Sequence, residues 1–226
     1  MSGPRRRERA AAGDPARSWL SGGLVAAGRG VALTGLMLAE VGVLFALAIG
    51  VTFTALGFGL LLIPDTLLAG RGLTSRIRRL AGEWSGVSIA VPYRPQPAGD
   101  AARPGLWRRL AWLLSDQATW RDLLWMTVDG VAGWLLTLAP AALIAWGLFG
   151  VVMPAVWAPI AGAGGSNWYA FIHVTGPTTA WLSVLLGAAI VAIGVWSGPR
   201  LLTWHSRLAR CLLAPASGLP GQPAPA

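Results

Sequence analysis

The chain has 226 residues, 54% of them hydrophobic and only 12% charged, with a mean hydropathy of +0.58. A soluble domain carries about 25% charged residues, so this composition excludes an ordinary water-exposed surface and points to a bilayer. The net charge of +9 rests on 18 basic residues, all of them arginine, and where they fall decides between nucleic acid and membrane.

The opening segment, residues 1–18, is basic and reads as a disordered tail before a membrane domain spanning 19–213. The first A-x-A after the apolar run begins, Ala46 to Ala48, lies inside a run that continues beyond it, so a cleaved signal peptide is not expected. No arginine occurs between Arg29 and Arg71, nor between Arg121 and Arg200, and these gaps coincide with two long apolar blocks. A helix crossing the hydrocarbon needs about 20 residues, so each block has room for two crossings. The pattern predicts helices over 24–48 and 52–68, turning near Ile49 to Val51. A second pair is predicted over 123–152 and 179–202, separated by an outer loop at 153–178 where Pro154, Pro159 and Gly162 to Gly165 break the pattern. The expected fold is thus an all-α membrane protein of four transmembrane helices, arranged as two hairpins joined by cytoplasmic amphipathic helices.

Every arginine falls in the N-terminal stretch up to and including Arg29, within 71–121 or from Arg200 onward, which by the positive-inside rule places both termini and the central elbow in the cytoplasm of a multi-pass plasma-membrane protein. Nucleic acid is not an expected partner. Trp19, Trp125, Trp157, Trp181 and Trp204 fall at predicted borders and fit an aromatic belt. In the elbow, Leu73, Ile77, Leu80 and Trp84 share one helical face with Arg78 and Arg79 away from it, and Leu106, Leu110, Leu113 and Leu114 repeat the arrangement, so both stretches read as interfacial helices. A Pro-rich linker, Pro92 to Gly105, separates them, and residues 214–226 read as a flexible tether.

Chemistry is sparse. Glu40 falls in mid-membrane, where a carboxylate costs on the order of a few kcal/mol, and marks either a functional site or a helix tie, for which Thr137 is a candidate partner. In the outer stretch Trp168, Tyr169 and His173 form an aromatic-histidine cluster that suits a small amphipathic ligand, or equally a loop resting on the bilayer. Asp129 and Asp65 are expected to be hydrated near the inner border. His205 has no carboxylate following it and no nucleotide motif to serve it, so it is not expected to be a phosphoacceptor. Two dispersed histidines and the single Cys211 make neither a metal site nor a disulfide framework, and no cofactor is expected. Gly194 with Gly198, Gly35 with Ala39 and Gly42 with Ala46 suit close helix packing or a homodimer.

The phrase SDQATWRDLLWMTVDGVAGW, Ser115 to Trp134, resembles the segment that opens the second hairpin in the sensor domain of actinobacterial two-component histidine kinases. The exit LLAGRGLTSRIRRLAGEW, Leu67 to Trp84, and the elbow before Trp120, Arg121 and Asp122 are similar to that family as well. The resemblance implies a four-helix module that normally precedes a dimerisation and phosphoacceptor region. Here the sequence after Arg210 departs from that course, and no catalytic residue carries over. The expected function is non-enzymatic sensing, with a signal passed to a histidine kinase, a response-regulator system or another cytoplasmic partner. The alternative is a small transporter subunit or permease-like scaffold, motivated by Glu40 and the two-hairpin repeat.

Overall fold

The computed structural model describes residues 15–95, 105–165 and 167–215. The expected disordered tails fall largely outside those residues, although Pro15 to Ser18 already belong to the first helix. The architecture is almost entirely helical: α1 (Pro15–Thr52), a 3-10 turn (Phe53–Leu56), α2 (Gly59–Ser85), α3 (Leu106–Ser115), α4 (Gln117–Val128), a π turn (Asp129–Gly133), α5 (Trp134–Gly162), a two-residue-per-strand hairpin of β1 (Trp168–Tyr169) and β2 (Ile172–His173), and α6 (Pro177–Leu213). Three helical stretches, Arg17–Leu56, Gln117–Gly162 and Pro177–Leu213, are long and apolar enough to cross a membrane.

The second predicted helix, 52–68, takes a different form. Its first residues make the 3-10 turn, and Gly57, at φ 84°, supplies the left-handed backbone that reverses the chain. The turn therefore lies past Ile49 to Val51. From Gly59 one helix runs without a break to Ser85, through Pro64 and the arginines of the expected elbow, so its apolar part is short and residues 71–84 are not a separate interfacial helix. Gly50 and Gly59 meet backbone to backbone, and Val43 lies beside Gly70, so α1 and α2 run antiparallel. A left-handed Gly86, whose N–H bonds to the Gly82 carbonyl, ends α2.

The prolines expected to open the outer loop do not. Pro154 and Pro159 lie within α5, which continues to Gly162, and Gly164 at φ 78° turns the chain. In an apolar surrounding, unravelling the backbone would expose more unsatisfied groups than the prolines do, so the helix continues through them. The loop shrinks to residues 163–176, and α6 extends past Leu202 to Leu213.

The chain divides into two compact units, residues 1–32 with 135–202 and residues 33–134 with 203–226. In the first, the helices close on glycine. A Cβ on Gly30 would strike the Thr137 carbonyl, one on Gly23 would strike Val195, and Gly147 and Gly187 each face the other's carbonyl oxygen. Gly194 packs on Pro140 and Ile144, and Gly198 on Ala26 and Gly23, so this pair serves packing within the chain. Ala27, Ile144 and Val195 form one small core, and Met153, Tyr169, Val174 and Ala180 another. The second unit is built on polar groups.

Candidate functional site: a buried polar core

The second unit buries a ladder of charged residues along α2. Its inner face repeats at helical spacing through Leu67, Gly70, Arg71, Thr74, Ile77, Arg78 and Ala81. Arg78, expected to point away, is thus interior, with 3% of its surface exposed. The flanking Arg76 and Arg79 are exposed.

Each buried arginine finds an aspartate near the start of α4. Asp116 is the N-cap of α4, accepting from the Ala118 N–H at 3.0 Å, and its other oxygen accepts from Arg71 Nη2 at 2.8 Å. The same Nη2 reaches Thr119 Oγ1 at 2.6 Å, and the guanidinium lies over the rings of Tyr93 and Trp112. Two turns along, Arg78 Nη2 donates to Asp122 Oδ1 at 2.7 Å, and Arg78 Nη1 donates to the Tyr93 hydroxyl at 2.6 Å. Tyr93 closes the triangle by donating to Asp122 Oδ2 at 2.7 Å. Burial pushes the Tyr93 hydroxyl above its usual range, and the neighbouring Asp122 charge adds to the rise.

The Trp120-Arg121-Asp122 triplet resolves into three attachments. Trp120, itself exposed, donates its indole N–H to the Leu114 carbonyl at the end of α3. Arg121 Nε donates to the Leu212 carbonyl in the last turn of α6, a position where a cation also meets the negative end of the helix dipole. Asp122 takes Arg78 from α2. Three consecutive residues thereby tie α4 to three other helices.

Deeper in the same unit lies a second cluster. Glu40, fully buried on α1, accepts from Trp125 Nε1 at 3.2 Å through Oε1, while its Oε2 has no hydrogen-bond partner. Asp129, buried rather than hydrated, bonds His205 Nε2 at 2.8 Å, and the Trp125 ring meets the imidazole edge-on at 5.4 Å. Asp129 and Glu40 are both packed around Trp125, Glu40 through the indole N–H and Asp129 through His205, whose ring meets the same indole, so the two carboxyls feel each other's charge. The Asp129 carboxyl folds back onto Gly133, where any Cβ would collide with it, so the π turn and the glycine set its direction together. Trp125, expected in an aromatic belt, is wholly buried in this cluster, whereas Trp19, Trp181 and Trp204 are exposed. Asp65 is exposed and pairs with Arg109 at 2.8 Å.

The predicted outer cluster is only partly assembled. Trp168 and His173 are cross-strand partners of the hairpin and stack at 4.6 Å between ring centroids. Tyr169 points the other way, fully buried, stacking on Trp146 and donating to its carbonyl at 3.1 Å, so it anchors the hairpin instead of lining a site. Burial raises its hydroxyl pKa. Glu40 belongs to the other unit. Among the described residues no group of three histidine, cysteine or acidic side chains is arranged to hold a metal ion.

These features define a class: an α-helical domain with long apolar helices and a buried, ion-paired polar core. Residues 25–213 match the family model described as "Putative sensor", and the chain belongs to that family. No curated protein and no solved structure matches the chain.

Proposed function

We propose that the chain is a multi-pass plasma-membrane input domain that passes an envelope or ligand signal to a cytoplasmic histidine kinase or another signalling partner. The observation that carries this reading is the triple attachment of Trp120, Arg121 and Asp122, because it couples α4 to the inner end of α6 and to α2 at once. A shift of α4 then reaches the Leu212 carbonyl through a single arginine. The family match supports a sensing role, and the arginine distribution supports cytoplasmic placement of both termini. Chemical crosslinking of the full chain in its native membranes should capture a kinase or response-regulator partner, and recovery of an unpartnered monomer alone sinks the proposal.

The reading includes four crossings, with α2 as the short return limb; the antiparallel contacts of Gly50 with Gly59 and of Val43 with Gly70 support it. Four crossings put both ends on one side, three put them on opposite sides. Cys211 is the only cysteine and is exposed, so a membrane-impermeant maleimide reports its side directly. Labelling should occur in inverted vesicles and not in intact cells, together with the same result for an N-terminal tag. A homodimer is part of the proposal, through the face of α1 on which Gly35 and Gly42 meet nothing within 4 Å.

A further inference from the structure

Charge balance in the cluster around Glu40 is incomplete. With both carboxyls ionised and the imidazole neutral, Glu40 and Asp129 bring two negative charges into a region with no water-facing surface: Glu40 is 0%, Asp129 1% and His205 2% exposed. Such an arrangement is strongly unfavourable in a low-dielectric interior. The surrounding elements supply little compensation. From α4 comes the neutral Trp125 indole and Asp122, another anion; α2 contributes Arg78, whose charge is already engaged by Asp122; α6 contributes only His205 among titratable groups at the cluster. Among the described residues, one buried oxygen, Glu40 Oε2, has no hydrogen-bond partner.

Protons resolve both problems. A proton on the imidazole makes His205 a charged donor to Asp129 across the 2.8 Å contact. A proton on Glu40 removes the second negative charge and turns Oε2, which has no partner among the described residues, from an orphaned acceptor into a donor. We propose that Glu40, Asp129 and His205 form a hydrogen-ion-binding site within the helical core, neutral when it holds two protons and able to release one to water. The residues reside on α1, the π turn and α6, so release leaves a net negative charge shared by three elements. Repulsion between Glu40 and Asp129 then bears on the π turn, because Asp129 opens that turn and its carboxyl fills the space that a Cβ on Gly133 would need. The site stands independently of any signalling partner.

The test uses the full chain in lipid nanodiscs and infrared difference spectroscopy across a titration from weakly acidic to alkaline pH. Wild-type protein should show a protonated-carboxyl C=O band that bleaches as pH rises, with release of about one proton per chain measured by a soluble indicator dye. Glu40→Gln should abolish the band, and Asp65→Asn, at an exposed carboxylate, should leave it unchanged. Nitrogen-15 shifts of the His205 ring in the wild-type protein should move over the same pH range, a readout that needs no substitution. A wild-type spectrum without any pH-dependent carboxyl band overturns the proposal. So does a band that persists in both Glu40→Gln and Asp129→Asn, or one that sodium bleaches at constant pH, which would make the site one for metal cations.

Discussion

In the unit formed by residues 1–32 and 135–202, helices touch where a side chain is missing: Gly30 against Thr137, Gly147 against Gly187, Gly194 against Pro140. In the unit formed by residues 33–134 and 203–226, the buried contacts are made by long charged side chains, Arg71 to Asp116 and Arg78 to Asp122, with Tyr93 and Thr119 completing their hydrogen bonds. The two kinds of contact join helices by different physics. Close backbone approach gains dispersion and is insensitive to protons. Ion pairs gain direction and register, and they make the second unit sensitive to the loss of a single partner.

The contrast is broken most sharply at Arg78. Arg78→Ala leaves the buried Asp122 without its cation, and unfolding in a denaturing-detergent titration should show a loss of about 3–5 kcal/mol. Replacing both partners, Arg78→Met with Asp122→Leu, should recover most of that loss, since no orphaned charge remains. If the double variant is as unstable as the single one, the pair is not the source of the effect. In the glycine-packed unit the corresponding change is Gly147→Ala, whose Cβ would stand 2.6 Å from the Gly187 carbonyl oxygen and 2.7 Å from a Val191 methyl. Backbone cannot yield as a flexible side chain does, so a loss of about 1–3 kcal/mol is expected in the same titration. Gly22→Ala, on the same helix as Gly23 but with open space around it, should cost nothing measurable there.

The long apolar helices were legible because composition alone reveals them: missing arginines mark the blocks, and a run of apolar residues needs no partner to be recognised. Their ends were harder. Pro154 and Pro159 read as breakers by the rule for helices in water, yet both sit inside α5. The polar core was hidden for a different reason. A helical wheel sends arginine outward, and Arg78 was placed accordingly, because its partner lies 44 positions away in sequence. One signal was available: Arg71, Thr74 and Arg78 fall on one face of a helix, and Asp116, Thr119 and Asp122 fall on one face of another. Matching those two ladders would have predicted the pairing. The hydrated setting expected for Asp129 failed similarly, since nothing near it in sequence announces His205. Of the residues singled out for chemistry, Glu40 proves to lie in a built polar cluster, whereas Trp168, Tyr169 and His173 divide between two faces of a small hairpin.

Tyr93 offers a gentler probe of the same comparison, through pH. Its hydroxyl accepts from Arg78 and donates to Asp122, and it titrates above its usual value in the folded protein. Because the folded state favours the neutral phenol, its stabilising contribution is fully present below the unfolded value of about 10 and is lost as pH rises through the higher folded one. Tyr93→Phe should cost about 1 kcal/mol at neutral pH and remove that alkaline loss, while leaving Arg78 and Asp122 paired with each other. In the unit closed by glycines, Tyr169 donates to the Trp146 carbonyl and buries its ring against Trp146, with no carboxylate or guanidinium in that hydrogen bond. Hydrogen exchange followed by mass spectrometry should therefore show alkaline loosening in peptides from α2 and α4 that is absent from peptides around Gly147 and Gly187. Equal loosening in both would mean that the alkaline transition is global and that Tyr93 does not set it.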